Sequence, residues 1–460
     1  MLHSTDMSTH GHDSHNDSHN DGHEHGHDHH DEKTLLEHTR EQLESDSRFI
    51  DLIDTNFHRN GLLYPADLLS RALAAYPAQR PYTPDPRGAP AAREAIAAYY
   101  RGRGLEVGAD QIIITASASE SYNLVFNRML DHGGTVSLPR PVYPLFEFIA
   151  EFNHLGVEHY PLDLDTHAQI DLETLRTHVS NESGLLVAIS PNNPTGTCLT
   201  EESVSALASF ALERGLPLLF DEVFSEFRYP RLPGGALPRT PNAASPRAPS
   251  AATSQAPPHV VPPQAADDLL CITLNGVSKM FASPDLKVSW LLVTGPEDLR
   301  EELLSVLEIA NDMYLNASSV SQAVLPSMFE EGETFQREMI GELNRRRDMC
   351  LSILEASPHI TALVPDGGIH CILRIPGHVP RGGDPEELQP PGGDPEEAED
   401  IPEGEDDEAL AERLLRETKV YTHPGYLYDI EDETALVISF LKHPELLEEG
   451  LRRIVDWFEG

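Results

Sequence analysis

Several residues stand where their type and spacing could do chemistry. Lys279 follows the strand-length apolar run Leu269-Leu270-Cys271-Ile272-Thr273-Leu274, within Asn275-Gly276-Val277-Ser278-Lys279. A lysine at the end of a buried strand loses hydration, so its pKa falls and a neutral, nucleophilic amine becomes available. The chain holds five lysines (33, 279, 287, 419 and 442), two of them eight residues apart in this stretch. Asp221-Glu222 closes the run Leu218-Leu219-Phe220, and a carboxylate there needs a cation or N–H partner. Ser190-Pro191-Asn192-Asn193-Pro194-Thr195-Gly196 ends another apolar run and offers a stiff amide donor between two prolines. Thr115-Ala116-Ser117-Ala118-Ser119-Glu120 reads as a strand-to-helix turn that leaves N–H groups free for a phosphate. Each also has an ordinary reading: an exposed loop lysine, a helix cap, an Asn-Pro turn, or tight packing of small residues.

The elements that must position these residues alternate as in an α/β sheet. Strands are expected at Ile112–Thr115, Thr135–Leu138, Val157–Tyr160, Leu185–Ser190, Leu216–Phe220, Leu270–Leu274 and Val288–Thr294. Their continuous apolar runs predict a mostly parallel sheet with helices on both faces. Expected helices include Glu120–Leu130, Pro144–Asn153 and Glu201–Arg214. Earlier, helical periodicity runs from Thr34-Leu35-Leu36 toward Leu52, a helix could start at Pro65, and Pro90 opens one ending at Tyr99-Tyr100. From Glu297 to Ser357 helices dominate, and the close is α+β, with elements at Gly368–Ile375, Leu410–Thr418, Leu436–Phe440 and Glu445–Phe458. This divides the chain into a large domain over 76–340 and a smaller one over 341–460 that packs with residues 34–75.

Three segments fall outside that pattern. Residues 1–33 carry ten histidines among Asp, Asn, Ser and Gly, and are expected to be a disordered tail with incidental affinity for divalent metal. No catalytic metal site is expected there. Residues 231–268 are rich in Pro, Ala and Ser, and residues 378–408 are acidic with a Gly-Gly-Asp-Pro-Glu-Glu duplication; both read as disordered insertions. The formal charge of −43 argues against nucleic acid or an anionic membrane as partner. Four cysteines without metal or disulfide spacing, no apolar run of membrane-spanning length and no signal-peptide core predict a cytoplasmic protein.

Asn-Asn-Pro-Thr-Gly, Asp-Glu-Val and Ser-Lys, in that order, resemble the class I/II aminotransferases, pyridoxal-phosphate (PLP) enzymes of fold type I. The resemblance covers residues 45 to 460 apart from the two insertions, and it implies the following roles. Lys279 forms the Schiff base with PLP and shuttles the substrate proton, while Asp221 pairs with the pyridinium nitrogen. Asn193 donates to the ring O3′ and Tyr143 stacks on the ring. Ala118, Ser119, Ser278 and Lys287 hold the phosphate. Tyr82 reaches the cofactor of a neighbouring subunit, which implies a homodimer.

The sequence departs from the family pattern at Phe224, Gly276, Lys287 and Val437, where a tyrosine, a serine, an arginine and the carboxylate-clamping arginine are usual. Candidates for substrate contact are Asn56, Arg59, Gly61 and Arg374, with Lys442 a further cation. The function expected is transfer of an amino group between an amino acid and a 2-oxo acid by a ping-pong mechanism. A PLP-dependent lyase or synthase on the same fold is the alternative.

Overall fold

The computed structural model describes residues 33–74, 76, 83–164, 170–230, 268–315, 317–376, 407–430 and 433–460. The His-rich tail to residue 32, Tyr82 and nearly all of both insertions lie outside the described residues. Asp407 and Glu408, expected within the acidic insertion, instead open a helix.

The strands are β1 (Ile50–Asp51), β2 (Ile112–Thr115), β3 (Thr135–Arg140), β4 (Gly156–Pro161), β5 (Ser183–Ile189), β6 (Leu218–Asp221), β7 (Cys271–Gly276) and β8 (Ser289–Thr294), followed by β9 (Thr361–Ala362), β10 (His370–Arg374), β11 (Val420–Tyr421), β12 (His423–Pro424) and β13 (Ala435–Ser439). The helices are α1 (Leu35–Leu43), α2 (Ala66–Ala74), α3 (Pro90–Gly102), α4 (Ala118–Met129), α5 (Leu145–Phe152), α6 (Leu172–His178) and α7 (Glu201–Arg214), then the short α8 (Val277–Met280), α9 (Glu297–Tyr314), α10 (Ser319–Glu331), α11 (Glu333–Leu354), α12 (Asp407–Thr418) and α13 (Pro444–Glu459).

Seven strands form one sheet in the order β2-β8-β7-β6-β5-β3-β4, with only β8 antiparallel to its neighbours. The run Leu185 to Ile189 shows why the apolar residues are continuous rather than alternating. Leu185, Val187 and Ile189 pack with Leu124 and Val125 of α4 and Leu303 and Leu307 of α9. Leu186 and Ala188 face the other way, against Leu207 and Phe210 of α7. Both faces of the sheet are therefore covered, and each such Leu, Ile or Val side chain contributes about 1.5–3 kcal/mol through burial. Helix α7 has local boundaries to match: the Thr200 hydroxyl accepts from Ser203 N–H at 3.2 Å, and Gly215 ends the helix in the left-handed conformation.

A second sheet, β12-β13-β10-β9, is antiparallel. Alternation is sharp here. Cys371, Leu373, Leu436 and Ile438 enter a core built with α11, α12 and α13, joined by Leu36, Ile50 and Leu52 from the N-terminal segment. The opposite face carries His370, Ile372, Val437 and Ser439. One expectation fails at the N-terminus. The helix expected to run toward Leu52 stops at Leu43, because Asp46 turns the chain through Arg48 N–H (2.9 Å) and Ile50 N–H donates to Lys419 O (2.9 Å), pairing β1 with β11. Helix α3 runs two residues past the expected Tyr99-Tyr100, to Gly102.

Candidate active site

Strand register brings the chemical residues to one edge of the large sheet. Ile189, Asp221 and Leu274 are level neighbours on β5, β6 and β7. Asn193 therefore lies four residues beyond one strand end, Asp221 at the next, and Lys279 three residues beyond the third. Ser289 of β8 pairs with both Thr115 and Gly276, so the turn into α4 and the segment leading to Lys279 flank the same residue.

Lys279 lies on α8, half-buried, with its Nζ 5.5 Å from the Phe57 ring centroid and 5.8 Å from that of Phe224. Loss of hydration among these rings depresses its amine to about 8. Asp221 is buried too. Its Oδ2 accepts from the Tyr122 hydroxyl at 2.8 Å and its Oδ1 from Val223 N–H at 2.8 Å. Burial raises its carboxyl to about 6 against those two bonds, which favour the charged form. The adjacent Glu222 is fully buried and points elsewhere, 3.4 Å from Arg103 Nη1.

The asparagine pair divides its labour. Asn192 Nδ2 donates to Pro141 O at 3.2 Å and its Oδ1 accepts from the Thr195 hydroxyl at 2.9 Å, which commits it to the turn. Asn193 carries a buried Oδ1 with no hydrogen-bond partner. The turn ends at Gly196, whose φ of +66° and approach to the next segment require glycine: a Cβ there would lie 2.3 Å from Pro365 Cβ and 2.7 Å from Gly367 O. At the start of α4, Ser117 Oγ accepts from Glu120 N–H at 3.0 Å and Glu120 Oε2 accepts from Ala116 N–H at 2.5 Å. The N–H groups of Ala118 and Ser119 find no acceptor among the described residues. Tyr143 is 37% exposed and sits 6.4 Å from the Tyr428 ring. Ser278 precedes Lys279 on α8, while Lys287 is exposed in a left-handed conformation (φ +52°).

A cleft of about 410 Å³ opens at Lys279, with Asn56, Phe57, Arg59, Asp54, Arg40 and His423 among its lining residues. Of the substrate candidates it takes in Asn56 and Arg59. Gly61 and Arg374 do not line it. Gly61 lies near His443, and Arg374 is ion-paired with Glu433 at 2.6 Å. Arg59 and Lys442 share the Asp54 carboxylate, at 2.8 and 3.4 Å.

Residues 69–454 match the model of the family "Aminotransferase class I and II". The chain belongs to this family. Nicotianamine aminotransferase B of Hordeum vulgare is 26% identical over 378 residues, covering 80% of this chain and 59% of that protein. The chain also spans 54% of nicotianamine aminotransferase 1 of Oryza sativa, so less than two thirds of either relative's length. The glutamate-pyruvate aminotransferase AlaA of Haemophilus influenzae is 24% identical over 319 residues, covering 68% of this chain and 72% of that protein. Among solved structures, an aminotransferase from Escherichia coli superposes with a TM-score of 0.76 at 22% identity, over 93% of this chain and 95% of that one. The alanine aminotransferase of Pyrococcus furiosus gives 0.76 at 20% identity, over 92% and 96%. These likenesses show the fold, with its large sheet, covering helices and smaller sheet domain.

As a class I/II aminotransferase family member the chain has local reasons for its unusual residues. At Gly276 a Cβ would meet Ser289 Oγ at 2.3 Å and Val288 O at 3.0 Å, so β8 leaves no space for a serine. Phe224 packs beside Lys279. Val437 is fully buried in an apolar cluster with Ile372 and Tyr428, and it pairs across the strands with His423. Tyr122, His370, Arg40 and Tyr421 were not singled out from the sequence. A histidine inside the apolar run Ile369-His370-Cys371-Ile372 was the one available signal; burial, with the charges of Lys279 and His423, depresses it to about 3.

Proposed function

We propose that this chain is a PLP-dependent aminotransferase moving an amino group between an amino acid and a 2-oxo acid. The observation that carries the reading is the desolvated, weakly basic Lys279, set at one sheet edge with Asp221 and Asn193. The residues present fit the cofactor. The orphaned Asn193 oxygen marks an amide that awaits a polar partner, and the idle N–H groups of Ala118 and Ser119 suit a phosphate. Ser278 and Lys287 would add a hydroxyl and a cation to that phosphate, and Tyr143 a ring face to the pyridine.

When bound, PLP supplies an electron sink for the electron pair at the substrate Cα. Asp221, oriented by Tyr122 and Val223 N–H, would hold a proton on the ring nitrogen by charge pairing. Lys279 Nζ would take the proton from Cα and return it, a role for which a pKa of about 8 leaves a usable neutral fraction near pH 7. Phe57 and Phe224 would exclude water from that amine.

A homodimer is part of the proposal, supported by the exposed Ile309, Met313 and Tyr314 on one side of α9. Sedimentation equilibrium at micromolar concentration tests it, and a monomer there contradicts it. A cytoplasmic location is proposed from the four free, buried cysteines. No described helix is long and apolar enough to cross a membrane. The chemistry is tested by mixing the purified holoenzyme with amino acids one at a time. An aminotransferase converts the cofactor's visible absorbance to that of its aminated form and releases a 2-oxo acid. Release of ammonia with the original spectrum restored would favour a lyase instead.

A further inference from the structure

We propose that Arg40, on the N-terminal helix α1, is the cation that binds a carboxylate of the substrate in the Lys279 cleft. The inference rests on the aminotransferase reading and identifies how its acidic substrates are held.

Four cations stand in or beside the cleft, and three are committed. Lys279 is the desolvated amine assigned to the cofactor. Arg59 and Lys442 are both bound to Asp54. Arg40 remains. Among the described residues no carboxylate oxygen comes within the 4.0 Å of its guanidinium that an ion pair needs. Asp51, the other acid lining the cleft, uses its Oδ1 to accept from Ile53 N–H at 2.8 Å.

The Arg40 guanidinium is instead fixed over an aromatic face, its Cζ 4.8 Å from the Tyr421 ring centroid. Part of the guanidinium also interacts with the Tyr421 hydroxyl, and with five N–H donors it retains others in the forked geometry that matches the two oxygens of a carboxylate. The acid on the cleft wall, Asp51, lies within electrostatic reach of Arg40, but burial raises its carboxyl and so favours its neutral form. The Tyr421 ring lies 5.5 Å from the ring of His423, which shares a 2.9 Å hydrogen bond with the Tyr428 hydroxyl. Burial, reinforced by the charge of Arg40, depresses His423 to about 4, so it is neutral at pH 7. Tyr428 in turn neighbours Tyr143, which connects the Arg40 wall with the strand-end residues. A ligand reaching from Lys279 into this cleft therefore meets one uncommitted positive charge.

The carboxylate could be the one on the substrate Cα or one at the far end of a dicarboxylic side chain, and two probes separate them. Propionate and glutarate are titrated calorimetrically into wild-type and Arg40→Met holoenzyme, with ethylamine as a probe lacking a carboxylate. A Cα seat is expected to weaken both acids by about 10- to 100-fold, the range for losing charge-assisted hydrogen bonds. A distal seat weakens glutarate alone, down to the affinity of propionate. Either supports the inference provided that ethylamine binding is unchanged, which a general structural defect would not leave intact. Wild-type affinity for both acids overturns it, as does parallel weakening of ethylamine. Arg40→Gln, which keeps a polar head at this half-buried position, is the second variant should Arg40→Met fail to fold, with the same expectations. Failure of the wild-type holoenzyme to aminate its cofactor with any amino acid would refute the aminotransferase reading separately, since the binding titration does not depend on turnover.

Discussion

Replacing Lys279 with methionine should stabilise the protein when PLP is removed, and the gain should vanish at high pH. Lys279 is half-buried beside Phe57 and Phe224, and loss of hydration alone lowers its pKa. Its pKa falls from 10.5 to about 8. A difference of about 2.5 units, at about 1.4 kcal/mol per unit, disfavours the charged form by about 3 kcal/mol. Below pH 8 the amine is charged in both folded and unfolded chains, and the folded protein bears this cost in full. Between pH 8 and 10.5 the unfolded chain binds a proton that the folded one does not, so wild-type stability rises with pH. Methionine, of similar length and without charge, removes the cost altogether. Urea unfolding of both apo-proteins at half-unit intervals from pH 7 to 10.5 is the assay. The expected advantage of Lys279→Met is up to about 3 kcal/mol at pH 7, shrinking toward zero near pH 10.5. An advantage that is absent at pH 7, or independent of pH, would refute the account of a desolvated amine.

Three other outcomes follow from the geometry. Gly276→Ser, the residue usual in the family, should lower the urea midpoint by the equivalent of about 1–3 kcal/mol, because its Cβ would lie 2.3 Å from Ser289 Oγ; an unchanged midpoint would show that β8 yields. Arg103→Met should destabilise by about 3–5 kcal/mol in the same assay, since it removes the guanidinium 3.4 Å from the fully buried Glu222 carboxylate. Asp221→Asn should keep the fold, judged by far-ultraviolet circular dichroism, yet lower kcat by about 10²- to 10³-fold through loss of the charge opposite the ring nitrogen. Wild-type turnover in that variant would remove Asp221 from the proposed chemistry.

The large sheet was legible because its strands are buried on both faces and so appear as unbroken apolar runs. Leu185 to Ile189 and Cys271 to Leu274 could hardly be read otherwise. The Lys279, Asp221 and Asn193 motifs were legible through their order along the chain, since each alone has an ordinary structural use. The resemblance singled out Asn193 of the pair, but what commits Asn192 to the turn was not legible. That depends on Asn192 reaching Pro141, 51 residues away. The helix expected toward Leu52 failed because pairing of Ile50 with Val420 overrides local periodicity. Arg40 and Tyr122 escaped notice for the same cause: each acquires its role through distant partners, Tyr421 and Asp221, that no local pattern announces. Arg59, Lys442 and Arg374 looked equally available as cations until Asp54 and Glu433 were found beside them.

The central claim is that Lys279 carries the cofactor. Borohydride reduction of the PLP-loaded protein, followed by proteolysis and mass spectrometry, tests it most directly, because the chain offers only five lysines to choose from. The account predicts a single pyridoxyl modification on the peptide containing Lys279, and none in Lys279→Ala. Modification of Lys287 or Lys442 instead, or reducible PLP retained by Lys279→Ala, would contradict it.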